Sequence, residues 1–202
     1  MSDQFFEQLK HPNPHLRDQA MVEIVENLDE NTIPRLMAAL DDPDTTYRRA
    51  AVKALGFVGA DTVPMLVEAL LHSENVTVRG SAAKALAQVA LNYPDAPFPQ
   101  QGLDGLKQSL NDANPVVHIA SAMALGEIGE AAFEILLESL KTTDNIALQV
   151  SVVNALASVG GEKVAAVLKE VSEDESIEGY VKETAVSALS RLEFVKGNTW
   201  NG

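Results

Sequence analysis

The sequence predicts an all-α protein, an α–α superhelix of about six helical hairpin repeats. Three observations carry that expectation: one motif that recurs six times, apolar residues three and four apart between its occurrences, and a composition rich in small aliphatic side chains. The motif is plainest in YRRAAVKALG. Its anchor dipeptide, Tyr47-Arg48, recurs as Leu16-Arg17, Val78-Arg79, Val117-His118, Leu148-Gln149 and Val181-Lys182. Three residues after the anchor's second member stands Ala20, Ala51, Ala82, Ser121, Val152 or Ala185. Six and seven residues after it stands an Ala-Leu pair: Ala54-Leu55, Ala85-Leu86, Ala124-Leu125, Ala155-Leu156 and Ala188-Leu189. The first repeat has Glu23-Ile24 there. Successive anchors lie 31, 31, 39, 31 and 33 residues apart. Hydrophobic residues make up 46% and aromatics only 5%, which suits regular packing of small helices better than a β-sandwich.

Each repeat is expected to hold two helices, A and then B, with the anchor on B. The A helices fall near 2–10, 32–41, 62–72, 100–111, 130–141 and 162–172, on patterns such as TVPMLVEALL and FEILLESL. The B helices fall near 14–28, 45–58, 76–92, 115–128, 146–159 and 177–194. Their starts carry cap chemistry: Asn13 before Pro14, the stretch DDPDT, and Asn114 before Pro115. Gly56, Gly59, Gly126, Gly129 and Gly160 are expected to close B helices as C-caps. Phe5 and Phe6 give the first A helix an apolar end, a cap or a partner face.

Composition excludes several kinds of chemistry. With no cysteine, the chain offers no disulfide, thiolate metal site or cysteine nucleophile. No apolar run approaches the roughly 20 residues of a membrane span, and the N-terminus lacks a signal-peptide layout. A soluble, intracellular protein without membrane insertion is expected. The formal charge of −14 argues against a broad nucleic-acid surface. Histidines stand at 11, 15, 72 and 118. His11 and His15 have a metal-like spacing, but Pro12 and Pro14 lie between them, so they are expected to be turn residues and no metal is assigned. No phosphate-binding loop, dinucleotide fingerprint or nucleophilic-serine elbow is present. The many carboxylates fall in turns and on exposed A-helix positions, so no catalytic group is assigned.

Helical phase instead singles out one face of the B helices. The anchor and the residues three, seven and ten after its second member face the core. The opposite stripe, one, five and nine residues after, is Arg49, Lys53 and Phe57 in the second repeat and Gly80, Lys84 and Gln88 in the third. It continues as Ile119, Met123 and Glu127, then Val150, Asn154 and Ser158. The expected B-helix wall is therefore basic in repeats two and three and apolar in four and five. Ile119, Met123 and Val150 are expected to form a contiguous apolar surface of the kind that marks a partner or ligand. Arg17, Arg48 and Arg79 are expected to be structural, pairing with an acid between repeats such as Asp42.

The pattern L-x-x-x-L, polar turn, V-R-x-x-A-x-x-A-L-G resembles the HEAT repeat, over nearly all of residues 1–194. The resemblance implies a HEAT-like solenoid and says little about function. HEAT hydroxylases carry His-Glu motifs that are absent here, and HEAT-like DNA glycosylases present basic grooves that this acidic chain does not suggest. Two stretches narrow the likeness. NVTVRGSAAKALAQVALNYPDAPFP and LNDANPVVHIASAMALGEIG resemble the HEAT-repeat phycobilin lyases. LKTTDNIALQVSVVNAL and YVKETAVSALSRLE continue it, and the chain is most similar to the F-type subunits of phycocyanin α-subunit phycocyanobilin lyases.

That resemblance implies a heterodimer with an E-type subunit, attaching phycocyanobilin to a cysteine of the phycocyanin α subunit and able to reverse the attachment. The linear tetrapyrrole is substrate, and no cofactor is implied. Relatives that also isomerise the bilin carry a His-Cys pair, so this cysteine-free chain is expected to attach without isomerising. Arg49, Lys53, Lys84, Tyr93 and Phe98 are then candidate bilin contacts. Ile119, Met123, Val150 and Asn154 are candidates for the partner or acceptor surface. The expected location is the cytoplasm of a cyanobacterium, or the plastid stroma of an alga. The competing reading is a non-catalytic HEAT adaptor that binds phycobiliproteins during phycobilisome degradation or assembly.

Two segments interrupt the pattern. NYPDAPFPQQG accounts for the 39-residue interval, and its prolines 94, 97 and 99 end the helix before them. It is expected to join two three-repeat halves of a domain spanning 1–195, across 92–101, with Tyr93 and Phe98 adding aromatic surface at the joint. Residues 196–202, with the sole tryptophan at Trp200, are expected to form a flexible tail, or one that docks Trp200 on a partner.

Overall fold

The computed structural model describes residues 2–198, with side chains over residues 3–193. Among the described residues there are twelve α-helices and no strand. The A helices are α1 (Ser2–Gln8), α3 (Thr32–Ala38), α5 (Val63–His72), α7 (Gln100–Ser109), α9 (Phe133–Thr142) and α11 (Gly161–Glu173). The B helices are α2 (Pro14–Glu26), α4 (Thr45–Val58), α6 (Val76–Asn92), α8 (Pro115–Ile128), α10 (Ile146–Val159) and α12 (Gly179–Asn198). Short 3-10 turns follow α3 and precede α5 and α9. The fold is the expected all-α repeat array, with each element within a few residues of its sequence position. Helix α12 runs to Asn198, so the expected tail begins as helix. Trp200 lies outside the described residues.

One turn device, repeated, explains why the B helices start where they do. Asn13, Asp44, Asn75, Asn114 and Asn145 each hold extended backbone and accept a hydrogen bond from an N–H of the first helical turn. Two residues before each cap, His11, Asp42, Ser73, Asp112 or Thr143 accepts the cap residue's own N–H on its side chain. The anchor then reaches back to that residue's carbonyl. Arg17 Nη1 donates to His11 O at 2.6 Å, Arg79 Nη1 to Ser73 O at 2.9 Å and Gln149 Nε2 to Thr143 O at 2.9 Å. His118 Nδ1 lies 3.2 Å from Asp112 O. Arg48 Nη1 donates to Asp42 O. The arginines are structural, as expected, but Arg48 meets the carbonyl of Asp42 and not its carboxylate. The carboxylate is already engaged, accepting Asp44 N–H at 2.8 Å.

The core follows the repeat. The residues three after the anchor, from Ala20 to Ala185, are all shielded from solvent, and so are Leu55, Leu86, Leu125 and Leu156. Burying each such leucine stabilises by about 1.5–3 kcal/mol. Small residues let neighbouring B helices approach closely. A Cβ on Gly56 would lie 2.3 Å from Gln88 Cβ, and one on Gly126 would lie 3.0 Å from the Ala155 backbone. These two glycines therefore sit inside α4 and α8 as contact points, not at C-caps. The C-caps are Gly59, Gly129 and Gly160, with φ of 91°, 84° and 73°.

The chain forms two compact units, Met1–Ser109 and Leu110–Gly202. In the first, α2, α4 and α6 pack side by side, as do α5 and α7. The proline-rich segment and α7 both belong to this unit, so its end falls after the expected 92–101 joint. The reason is packing. Tyr93 lies against Gly59, Phe98 against Gly102, and Gly105 of α7 against Val67 of α5. In the second unit, α8, α10 and α12 pack in a row, with α9 and α11 beside them. Composition alone makes Pro115–Thr142 apolar enough for a membrane span, contrary to the sequence expectation. It is nevertheless two helices of 14 and 10 residues turned at Gly129.

The anchor bond sets a stability test. Arg48→Ala strands the Asp42 carbonyl and is expected to lower the unfolding free energy by about 1–2 kcal/mol. Arg48→Gln is expected to recover a good part of this, because Gln149 makes the same bond in its own repeat. Urea denaturation measures both, and an Arg48→Met variant as stable as Arg48→Gln contradicts the assignment.

Candidate functional site

The outer row of the B helices in the first unit is where side-chain chemistry gathers. Arg49 and Lys53 on α4 and Lys84 on α6 are exposed. Lys53 and Lys84 occupy the same repeat position on adjacent helices, held close by the Gly56–Gln88 contact. Among the described residues none of the three cations has a hydrogen-bond or ion-pair partner. One turn after Lys53 stands Phe57, 40% exposed, and two turns after Lys84 stands Leu91, 48% exposed. From the neighbouring α2, Val22 is exposed beside this row, flanked by Asp18 and Glu26.

The proline-rich segment closes the end of this face. Tyr93 N–H caps α6 through Val89 O, and Tyr93 Oη donates to Phe57 O at 2.6 Å. The ring thus crosses the C-terminus of α4. A Cβ on Gly59 would meet it at 2.9 Å, which explains a glycine at that position beyond its positive φ. Phe98 is half-buried, its ring 2.6 Å from where a Gly102 Cβ would stand. With Val58, Gly59, Asp61 and Val89 the two aromatics line a cleft of about 290 Å³. Sequence reasoning found the aromatics and missed Asp61, Leu91 and the cleft. Asp61 stands in a 3-10 turn in another repeat, and only the folded segment brings the two together.

The second-unit candidates fare differently. Met123 on α8 is 60% exposed, whereas Ile119 on α8 and Val150 on α10 are half-buried. The expected contiguous apolar surface is therefore reduced to Met123 at this face. On α6, α8 and α10 the position one after the anchor turns toward an adjacent B helix, as buried Gly80 shows, whereas on α4 the same position holds exposed Arg49. Asn154 is exposed but engaged, with Nδ2 donating to Val150 O at 3.0 Å and Oδ1 accepting from Arg191 Nη2 at 2.8 Å. Arg191, on α12, was not singled out in the sequence. Its place in the same row follows from extending the anchor count to the sixth repeat. His11 is a turn residue, its Nδ1 accepting Asn13 N–H at 3.0 Å. Among the described residues, no three His, Asp or Glu side chains converge as a metal site.

Comparison with known proteins places this geometry. Residues 2–87 and 103–190 match the HEAT repeats, and the interval between the matches contains the proline-rich segment. Over 193 residues the chain is 57% identical to the uncharacterized phycocyanin operon protein Z of Pseudanabaena tenuis (strain PCC 7409), covering 96% of each chain. It is 36% identical over 185 residues to the bilin biosynthesis protein CpeZ of Synechococcus sp. (strain WH8020), covering 89% of this chain and 99% of that one. Among solved structures, the complex of CpcE and CpcF of phycocyanin lyase from Nostoc sp. PCC7120 shares the fold. Its TM-score is 0.50 and its identity 20%, over 76% of this chain and 96% of that one. Paired helices repeating on one anchor define an α-solenoid of stacked hairpins. The chain belongs to the HEAT-repeat family, in the group that holds phycocyanin operon protein Z and CpeZ.

The Tyr93–Gly59 contact is open to a double-mutant test. Gly59→Ala is expected to cost about 2–3 kcal/mol, combining strain in an extended positive-φ backbone that glycine alone adopts readily with the ring contact. In a Tyr93→Ala background the ring part vanishes and about 1–2 kcal/mol of strain remains. Equal costs in both backgrounds, by thermal or urea unfolding, refute the contact.

Proposed function

We propose that this chain is one subunit of a heterodimeric bilin lyase, which joins a linear tetrapyrrole to a cysteine thiol of a phycobiliprotein and reverses the reaction. The observation that carries the reading is near-full-length similarity to a bilin biosynthesis protein, on a surface that offers unpaired cations beside apolar side chains. The fold shared with a phycocyanin lyase complex is consistent with a solenoid working alongside a second subunit. The phycocyanin operon name of the 57%-identical relative supports phycocyanobilin and the phycocyanin α subunit as the substrate pair. A partner of the E type completes the enzyme, and the cyanobacterial cytoplasm is its setting.

The chemistry asks little of this chain's own nucleophiles, since it has no cysteine. The acceptor's sulfur bonds to the exocyclic carbon of the ring A ethylidene group, and a proton goes to the ring carbon. The thiol's own proton is released, so the addition is redox-neutral and consumes no cofactor. What a protein contributes is capture and orientation of a flexible chromophore against its acceptor. Lys53, Lys84 and Arg49 bind the two propionates. Phe57, Tyr93 and Phe98 receive pyrrole rings. Met123 and Asn154, with the partly covered Ile119 and Val150, face the partner subunit or the acceptor.

Co-expression of the chain with its partner subunit, an apo α subunit and phycocyanobilin tests the proposal. The expected outcome is covalent bilin absorbance that survives denaturation. The Lys53→Glu, Lys84→Glu double variant is expected to cut attachment by about tenfold or more, through loss of two pairs and gain of two repulsions. Binding of phycobiliprotein with no attachment identifies an adaptor instead. Attachment only to subunits of other phycobiliproteins reassigns the acceptor.

A further inference from the structure

The proline-rich segment builds a slot at the end of the cationic face. Its backbone is pinned three times, by Tyr93 N–H to Val89 O, Ala96 N–H to Tyr93 O and Gly102 N–H to Pro99 O. The prolines between these bonds leave the segment few alternatives. Tyr93 Oη fastens one wall to the α4 terminus, and Phe98 and Pro97 supply the facing side. The Tyr93 ring packs directly on Gly59, which has no side chain to hold it off. At the rim stands Asp61, exposed and with no hydrogen-bond or ion-pair partner among the described residues. It is the only carboxylate on the described lining.

Size and position select an occupant. A volume of about 290 Å³ lies at the lower edge of the range for small-molecule sites, roughly 300–1,000 Å³. That is room for one substituted pyrrole and not for four. Val58 and Val89 line the slot five residues after Lys53 and Lys84 respectively. Five residues of helix advance about 7.5 Å but turn about 140°, so the link from the slot to the lysine face is Phe57, one turn after Lys53; the Phe57 carbonyl accepts from Tyr93 Oη. A linear tetrapyrrole carries its propionates on the two inner rings, so a terminal ring lies one ring and one bridge beyond a propionate. A tetrapyrrole held by its propionates at the lysines runs past Phe57 and bends round the end of α4 to bring a terminal ring to the slot. Such a ring is flat and apolar, and its N–H is a donor that matches the free carboxylate.

Resting on the bilin-lyase reading, we propose that the slot bounded by Tyr93, Phe98 and Asp61 seats one terminal lactam ring of the tetrapyrrole, with the Asp61 carboxylate accepting the ring N–H. A negative charge one ring away from the basic inner nitrogen also favours the protonated chromophore, which absorbs more strongly in the red.

Titrating phycocyanobilin into the assembled pair of this chain and its partner subunit tests the seat. Ala96→Trp, placed at an exposed rim position, fills the slot and is expected to weaken binding by about tenfold or more. Asp61→Asn is expected to weaken it only a few-fold and to reduce the red enhancement of the bound chromophore. Should Ala96→Trp lower the melting temperature, the Asp61→Asn spectrum alone decides. If both variants bind and absorb as the unaltered pair does, while that pair still attaches bilin, the seat is wrong and the lyase reading stands. Failure of the unaltered pair to bind bilin overturns both.

Discussion

A single hydrogen bond, from the anchor side chain to a carbonyl six residues upstream, sets the frame on which the rest depends. It closes each turn between A and B helices across the first five repeats. With the turn closed, the cap residue is held in extended backbone and the B helix starts at a fixed point. Every position counted from the anchor then inherits a fixed direction. The third faces the core and the fifth faces outward. The outward cations Lys53 and Lys84 are therefore a consequence of turn geometry as much as of their own chemistry.

The repeat was legible because the constraint repeats. Helix positions, N-caps and core residues were recoverable from spacing and cap chemistry, since each is imposed five or six times with small variations. The anchor itself was harder. Arginine suggested an ion pair, yet histidine and glutamine occupy the same place, and all three share only the ability to donate. Histidine is the poorer substitute: His118 Nε2 is buried without a partner. The glycines show a similar ambiguity. Gly56 and Gly59 are three residues apart and look alike in sequence, but one is chosen for contact with α6 and the other for a positive φ. Nothing local distinguishes a close approach from a cap. Ile119 and Val150 mark the same limit, because their burial depends on the packing of α8 against α10.

The candidate site was legible in its parts and not in its assembly. Tyr93 and Phe98 stood out as aromatics among prolines in a chain with few aromatics. Their role as a joint or as a binding element was undecided by composition. The structure shows them packing the joint, with Tyr93 still partly open to solvent. Tyr93 caps α6 with its backbone, fastens to α4 with its hydroxyl and exposes 44% of its surface. A purely structural aromatic in an alanine- and leucine-filled solenoid would be expected to bury more. Asp61 was invisible because its relevance comes from a loop some thirty residues later in the chain.

Charge gives the surface its strongest claim to a function. The chain has 29 acidic and 15 basic residues, so an acid to neutralise any given cation is abundant. Lys10, just past α1, finds Glu7, Lys169 finds Glu173 on its own helix, and Lys163 finds Glu130 in another repeat. Arg49, Lys53 and Lys84 find none. Pairing on a helix surface needs an acid three or four residues away. On α4 and α6 those places are taken by residues such as Ala50, Phe57, Gly80 and Gln88. Three cations left together in an acidic molecule, beside exposed apolar side chains, are poorly explained by solubility, which the net charge of −14 already provides. They are well explained by an anionic, largely apolar ligand, whose carboxylates supply the missing partners and whose rings cover the Phe57 and Leu91 surface.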